Sequence, residues 1–564
     1  MKKVFIIALA ALLVVAFSAP VMAASKVDFS GTFRVRAFYN NNFTLNGQGS
    51  YESKRSYLDQ RIDMSLKIMP TENLTLNLGM TTGDNVWGTQ GKNLDATRAS
   101  NTAVGTSNET SFELKYFWAT IKSPFGVFDV GRMPGHGSRL ADLGWTGSAL
   151  GYMEPFGNAY EQFADRISYT YTSGPLSVNA YYEKKMENDA GNGEGALNLG
   201  TRNTIADSGT RYYDKDWDEI AITPTYKFAN GGVSMTLAYD QMKAPQAMNM
   251  GNWWDWPNWG SRLYPFSSLA NLVSLTPAGT NIGNTPTGVQ GYYWMFNPAV
   301  VLNFGPVGVH AEMMYKGGGV KWKNSPGKTG STDPVTGKEI KDNATLSGFG
   351  AYIDATYNFG PGIVGLSYTY VSGDKTVTDY NFNGMVDVGG DFGPLLITFD
   401  RWINPWRDHS MAGVGLTAAT SPLTGGVGFP TATTIAGGDS NFWMLMAWGD
   451  YSVTEDLMLH AALGYMQVNE AGRNPWAGGR AAGTATGFAG RNIDKNFGTE
   501  FDVSASYKIM PNLTYKLDLG YFWAGNYFKQ GWDSSDPAIA GTNYTNAAKI
   551  GNAYAVKNTL TLKF

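Results

Sequence analysis

The chain has 564 residues, no cysteine, 69 glycines, an aromatic content of 14% and a formal net charge of −4. The missing cysteine excludes disulfides, thiolate metal sites and covalent haem attachment. The mild acidic balance, −6 once Lys2 and Lys3 are removed, excludes nucleic acid as an expected partner.

The chain opens with a targeting segment. Lys2 and Lys3 form a positive n-region, Val4 to Phe17 an apolar h-region, and Val21-Met22-Ala23 a small-residue cleavage site. This is the pattern of a secretory signal peptide over residues 1–23, with a mature chain from Ala24. No later stretch approaches the roughly eighteen consecutive apolar residues that a spanning helix needs.

From Val27 onward the period is two. Val27, Phe29, Phe33, Val35 and Tyr39 share one face of the first predicted strand, while Asp28, Ser30, Thr32, Arg34 and Arg36 share the other. Tyr57 to Ile68 repeats the pattern, with Leu58, Ile62, Met64 and Leu66 opposite Asp59, Arg61, Asp63, Ser65 and Lys67. Leu74 to Met80 follows, after the turn Met69-Pro-Thr-Glu-Asn73. Further strands are predicted near Phe112–Ile121, Val127–Met133, Ala164–Tyr171, Leu176–Tyr182, Trp217–Lys227, Val233–Asp240, Tyr292–Asn303 and Val307–Tyr315. The series continues with Phe349–Phe359, Val364–Tyr370, Phe442–Tyr451, Leu457–Val468, Phe497–Lys508, Leu513–Leu519 and Ala553–Phe564.

Short turns alternate with long polar loops. They fall at Met69–Asn73, Lys122–Gly126, Thr172–Leu176, Phe228–Gly232, Phe304–Val307, Phe359–Ile363, Tyr451–Leu457 and Ile509–Leu513, each with Pro, Gly, Asn or acidic residues. Eight turns join sixteen strands, and the first and last strands bring the number to about eighteen, within a range of sixteen to twenty. Pro394 to Phe399, inside the long stretch from Val371 to Asn441, is the one place where a further strand is considered. Apolar outside and charged inside is the arrangement of a strand between lipid and a wet lumen. The predicted fold is therefore all-β: a transmembrane antiparallel up-and-down β-barrel, one domain over residues 24–564, with short periplasmic turns and long extracellular loops.

Inward charge is the main candidate for function. Parity turns the basic residues Arg34, Arg36, Arg61, Lys115, Arg166 and Lys557 inward, together with the acidic Asp59, Asp63, Glu113, Glu500, Asp502 and Asp518. Closure of the ring would place Lys557 with Arg34, Arg36 and Arg61 on one wall. Such groups either impose a field across a pore or pair across strands to stiffen the wall. Arg132 and Asp129 fall on opposite parities unless a bulge at Gly131 reconciles them.

The loops hold two other candidates. Trp253, Trp254, Trp256 and Trp259 form an aromatic cluster that suits a ligand platform, a loop core or an interfacial anchor. Asp379, Asn381, Asn383 and Asp387 match half of a calcium loop, with Gly390 where the bidentate acid of that template stands, so Ca2+ is the one cofactor considered. The four histidines, at 136, 310, 409 and 460, show no metal-ligand spacing, and neither a Gly-x-Ser-x-Gly nor a His-x-Ser motif is present. An enzyme is not expected.

The signal peptide, the strand number, the inward arginines and the terminal Phe564 together resemble Gram-negative outer-membrane porins, most of all the eighteen-stranded alginate-export-like barrels. That resemblance implies a water-filled barrel of the outer membrane through which small hydrophilic solutes or ions diffuse. It also implies outer-membrane lipids and lipopolysaccharide as neighbours, and Phe564 as a signal read by the barrel-assembly machinery. A barrel plugged for a structural or receptor role, and an exporter of an anionic polysaccharide, stay open beside it.

Overall fold

The computed structural model describes residues 26–41, 54–87, 112–135, 137–145, 147–148, 152–153, 155–156, 163–189, 214–244, 288–323, 343–373, 381–383, 386, 388, 392–399, 441–470, 495–526 and 552–564. Eighteen strands make the wall. They are β1 Lys26–Asn41, β2 Lys54–Thr71, β3 Leu74–Thr81, β4 Glu113–Ser123, β5 Gly126–Pro134 and β6 Phe163–Ser173. Next come β7 Leu176–Asp189, β8 Asp214–Phe228, β9 Gly231–Ala244, β10 Gly288–Phe304, β11 Val307–Lys323 and β12 Asn343–Phe359. The last six are β13 Gly362–Val371, β14 Phe442–Ser452, β15 Leu457–Val468, β16 Asn496–Met510, β17 Leu513–Ala524 and β18 Ala553–Lys563.

Each strand pairs antiparallel with its neighbours in sequence, and β1 pairs with both β2 and β18, which closes the sheet into a barrel. Closure removes the edge strands that an open sheet would expose. All eight predicted short turns lie between paired strands. Three of them share Gly-Pro at their centre, with Gly174, Gly305 and Gly360 at φ of 56°, 62° and 58°. That left-handed conformation suits the first central position of a tight hairpin turn, and the following Pro has its own φ fixed.

The seam is held by the chain's last residue. Gly31 N–H donates to the Phe564 carbonyl at 2.7 Å, and Phe564 N–H donates back to the Gly31 carbonyl at 3.0 Å. The Phe564 ring lies over Gly31 and beside Phe29, 5.7 Å between ring centroids. A Cβ on Gly31 would stand 2.5 Å from that ring, so the glycine provides the space.

Burial follows the alternation. Val27, Phe29, Ile220, Leu366 and Leu463 are exposed on the outer face, whereas Arg36, Asp59, Arg61, Glu183, Glu312 and Asp518 are buried on the inner one. No helix among the described residues is long and apolar enough to cross a membrane. The core sits inside the barrel and is built by segments that leave the wall. Residues 137–156, from the β5–β6 connection, contribute Leu140, Met153 and Phe156. Residues 386–399, from the β13–β14 connection, contribute Val386, Val388, Phe392, Leu395, Leu396, Ile397 and Phe399. The two segments pair through Phe392↔Met153 and Gly393↔Tyr152. Pro394 to Phe399 is thus not a wall strand. It is a buried bend and turn packed against the inner face.

Candidate functional site

The first infolded segment crosses the interior near the short-turn end. Its helical turn, α1 Arg139–Asp142, is capped by Ser138, whose Oγ accepts from Leu140 N–H at 3.2 Å. On β11, Glu312 receives the Ser138 hydroxyl and, at 2.9 Å each, Arg139 N–H and the Asn297 amide. Leu143 lies against Gly232 of β9. Burial raises the Asp142 carboxyl above the ordinary carboxylate range, against the opposing pull of Arg139 and Lys227. Trp145 stacks on His310, centroids 3.5 Å apart and planes within 7°. On the far side Ser148 Oγ meets Asp450 of β14 at 3.0 Å and His460 Nδ1 of β15 at 3.1 Å. A single stretch therefore spans the inner face from β9 to β15, a chord on one side of the ring.

The second segment is fixed by carboxylates. Leu396 N–H donates to Asp502 at 2.8 Å, and Thr398 donates to Glu500 through its N–H at 3.0 Å and its hydroxyl at 2.7 Å. Ile397 N–H also donates to Glu500. Successive backbone donors facing buried carboxylates form charge-assisted bonds, and an unpartnered donor at such a place costs about 1–3 kcal/mol. Glu500 and Asp502 face inward as the alternation requires, but the turn covers them. They hold it down and do not line an open lumen.

The opposite wall is charged. Arg36 makes a two-bond fork to Asp59, at 2.9 and 2.6 Å, and Arg61 makes one to Asp63, at 2.7 and 3.0 Å. Asp84, just beyond β3, takes Arg34 at 2.5 Å, Arg36 at 2.9 Å and Arg61 at 3.4 Å. Lys115 reaches Asp63 at 3.3 Å because a bulge opposite Gly79/Met80 turns it inward. The basic wall is thus largely compensated: four cations share three carboxylates. Arg34, Asp63 and Lys115 keep side-chain exposures of 21%, 36% and 19%. Glu113 pairs in register with Thr81 on the same inner face.

A further network continues over β6 to β10. Arg166 bonds Glu183, with Nε at 2.8 Å. Lys185, inserted at a bulge opposite Trp217/Asp218, contacts Glu219 and lies 3.0 Å from Asp240. Tyr181 donates to Glu219 at 2.6 Å and the Trp217 indole to Asp240 at 2.8 Å.

One expectation at the seam changes. Lys557 stands opposite Phe38 and reaches Asp518 at 3.6 Å, whereas Arg34 and Arg36 stand opposite Thr561 and Thr559 and turn to Asp84 and Asp59. Lys557 therefore belongs with Asp518 and Lys516, outside the arginine group. At Gly131, where either outcome was open, there is no bulge. Pairing of β4 with β5 runs unbroken from Ser123↔Gly126 to Phe117↔Arg132, so Asp129 points inward and Arg132 outward.

Asp84, the Lys185 network and the two infolded anchors are absent from the sequence reading, since each depends on contacts between distant positions. Trp253, Trp254, Trp256 and Trp259 lie outside the described residues, as do Asp379 and Asp387 and the segment 1–23. Asn381 pairs with Thr345 beside β12, and the Asn383 side-chain oxygen accepts the Ser347 hydroxyl at 2.6 Å. Among the described residues no group of three His, Cys, Asp or Glu is placed to hold a metal ion.

Solved barrels of similar span exist. The OccK11 (OpdR) protein of Pseudomonas aeruginosa is 9% identical, with 95% of this chain and 96% of that one covered and a TM-score of 0.40. For OprD of the same organism the figures are 10%, 95%, 93% and 0.41. For in-vitro folded OmpT of Vibrio cholerae they are 12%, 97%, 100% and 0.35. Comparison with curated proteins finds no similar sequence. A family model described as Gram-negative porin matches residues 8–471. With well over half of its length matched in this way, the chain belongs to the Gram-negative porin family: it is an outer-membrane β-barrel channel for small solutes.

Proposed function

We propose that solutes diffuse passively along the side of the barrel formed by β1 to β7, past Arg34, Asp63 and Lys115. The observation that carries this reading is the division of the interior. The infolded segments and their apolar core occupy the side of β9 to β18 and end at Phe38 of β1, while the partly exposed Arg34, Asp63 and Lys115 stand on β1, β2 and β4. Arg34 and Lys115 carry the positive charge of that surface beside Asp63 and the inward Glu113, and Asn77, Thr120, Asp129, Thr170 and Asn179 continue a polar surface toward the short turns.

On this reading the chain carries out no chemistry and needs no bound cofactor. Ser148, Asp450 and His460 bring together the residue types of a hydrolytic triad, but Ser148 Oγ and Asp450 Oδ1 both approach the same ring nitrogen, Nδ1, at 3.1 and 2.7 Å. A relay requires nucleophile and carboxylate on opposite nitrogens. That geometry supports a tether.

Reversal potentials across a planar bilayer with a salt gradient test the proposal. Replacing Arg34 and Lys115 together with Ala is expected to shift the reversal potential toward cation selectivity. An unchanged reversal potential would remove this wall from the path.

A further inference from the structure

On the open side of the lumen the wall carries aromatic rings as well as charges. The bulge opposite Gly79/Met80 inserts one residue into β4, so Lys115 and Tyr116 both turn inward, and Trp118 follows on the same face. Room for the first ring comes from Gly79 of β3, where a Cβ would stand 1.9 Å from the Tyr116 ring. The ring therefore lies down on the sheet, with its other face toward the lumen. Trp118 is 5.2 Å away between ring centroids, and Phe163 of β6 is 5.9 Å from Tyr116. All three are half-buried. On the side of the infolded segments, by contrast, Phe392, Phe399 and Trp448 are buried.

Polar groups fix these rings and flank them. The Trp118 indole N–H and the Asn77 amide both donate to Thr120 Oγ1, each at 3.2 Å. The Thr120 hydroxyl in turn donates to Asp129 Oδ1 at 2.5 Å, and the second Asp129 oxygen has no partner among the described residues. At the end farther from the short turns, Lys115 Nζ lies 5.7 Å over the Phe163 ring and 3.3 Å from Asp63. The planes of Tyr116 and Trp118 are tilted by 52°. A sandwich for a flat aromatic solute needs parallel faces about 7–8 Å apart, twice the contact distance between carbon atoms. These two rings meet neither condition. Each offers a single face beside hydrogen-bonding groups, which suits a pyranose: C–H bonds on one side for the ring, and hydroxyls at the rim for amide and carboxylate oxygens.

We propose that Tyr116 and Trp118 form a carbohydrate track inside the lumen, on which successive rings of a linear neutral oligosaccharide stack while their hydroxyls donate to Asp129. The 5.2 Å between the two ring centroids is comparable to the spacing of adjacent rings in a linear sugar chain. Phe163, under Lys115, closes the track at the end farther from the short turns. Because C–H faces and hydroxyls carry the contact, retention of the sugar does not depend on the balance of charge among Arg34, Asp63 and Lys115. The track lies on the path proposed along β1 to β7 and presupposes it, and it names a class of solute that this path holds back.

The test adds maltohexaose to the full-length barrel in a planar bilayer and reads the block of the KCl current. Parent channels are expected to show saturable, transient blocks that persist between about 0.1 M and about 1 M KCl, because no charge is there to be screened. In Y116L/W118L, which keeps apolar bulk and removes both aromatic faces, the half-blocking concentration should rise about tenfold, equivalent to 1.4 kcal/mol. Y116F/W118F keeps the faces and should be blocked like the parent. If the double leucine variant does not fold, W118L provides the same comparison. A parent that conducts KCl without block by the sugar, or equal block of parent and Y116L/W118L, would overturn the track and leave the channel path standing. Absence of KCl steps in the parent would count against the channel path, and calorimetry of maltohexaose with the barrel in detergent then decides the track. Binding heat lost in Y116L/W118L and kept in Y116F/W118F would support it, whereas equal heats or none would overturn it.

Discussion

The Asp84 carboxylate lies 2.5 Å from Nη2 of Arg34, although Asp84 belongs to no barrel strand. It also reaches Arg36 and Arg61, so one residue in the β3–β4 connection compensates three arginines of the wall. Replacing Asp84 with Asn removes one negative charge from the group. Arg36 and Arg61 each keep a forked carboxylate partner in Asp59 and Asp63, which retains the fold. A shift of the reversal potential toward anions is the expected outcome, and a shift toward cations would show that Asp84 does not act on the path through these arginines.

Glu500 provides the hold on the second infolded segment. Glu500→Ala strands the N–H groups of Ile397 and Thr398 and the Thr398 hydroxyl, each at about 1–3 kcal/mol. The turn at 395–399 is expected to leave the inner face, giving larger and noisier single-channel currents. Glu500→Gln keeps an acceptor oxygen and should fall between. Currents identical to the parent in a folded Glu500→Ala barrel would contradict the anchoring role.

At the other segment, Trp145→Ala removes a stacked indole from His310 and leaves a cavity, with a cost of about 3–5 kcal/mol. Because that segment lies inside the ring against β9 to β15, its loosening should appear as fast flicker in the open current and as protease sensitivity near residues 137–148. A quiet, protease-resistant variant would show that Ser138 and Ser148 alone hold the chord.

Gly31 and Phe564 make a matched pair at the seam. A Cβ at position 31 meets the Phe564 ring at 2.5 Å and the Asp63 carbonyl at 2.9 Å, so Gly31→Val is expected to lower the temperature at which the folded band disappears in semi-native electrophoresis. Deleting Phe564 removes both backbone bonds to Gly31 and should impair insertion while leaving the conductance of any assembled barrel unchanged. Normal insertion of the truncated chain would deny Phe564 a part in assembly.

The wall was legible in the sequence because a strand's facing depends only on its own alternation. Val27 to Tyr39 shows its lipid face without reference to any other segment, and the Gly-Pro turns identify themselves through backbone constraints. The interior was not legible in this way. Glu500 and Asp502 read as lumen charges until Leu396, Ile397 and Thr398, about a hundred residues earlier in the chain, are found over them. Asp84 has no alternating neighbours to set its direction. Parity also fails at bulges: Lys115 and Tyr116 both turn inward only because one residue is inserted opposite Gly79/Met80.

Conductance of the purified full-length barrel in a planar bilayer is the most direct test. Stable, single-sized open steps, with a reversal potential in a KCl gradient that replacing Arg34 and Lys115 with Ala moves toward cations, are the predicted result. Absence of steps from folded protein, or a reversal potential left unchanged by replacing Arg34 and Lys115, would contradict an open path along the Arg34–Asp63–Lys115 side.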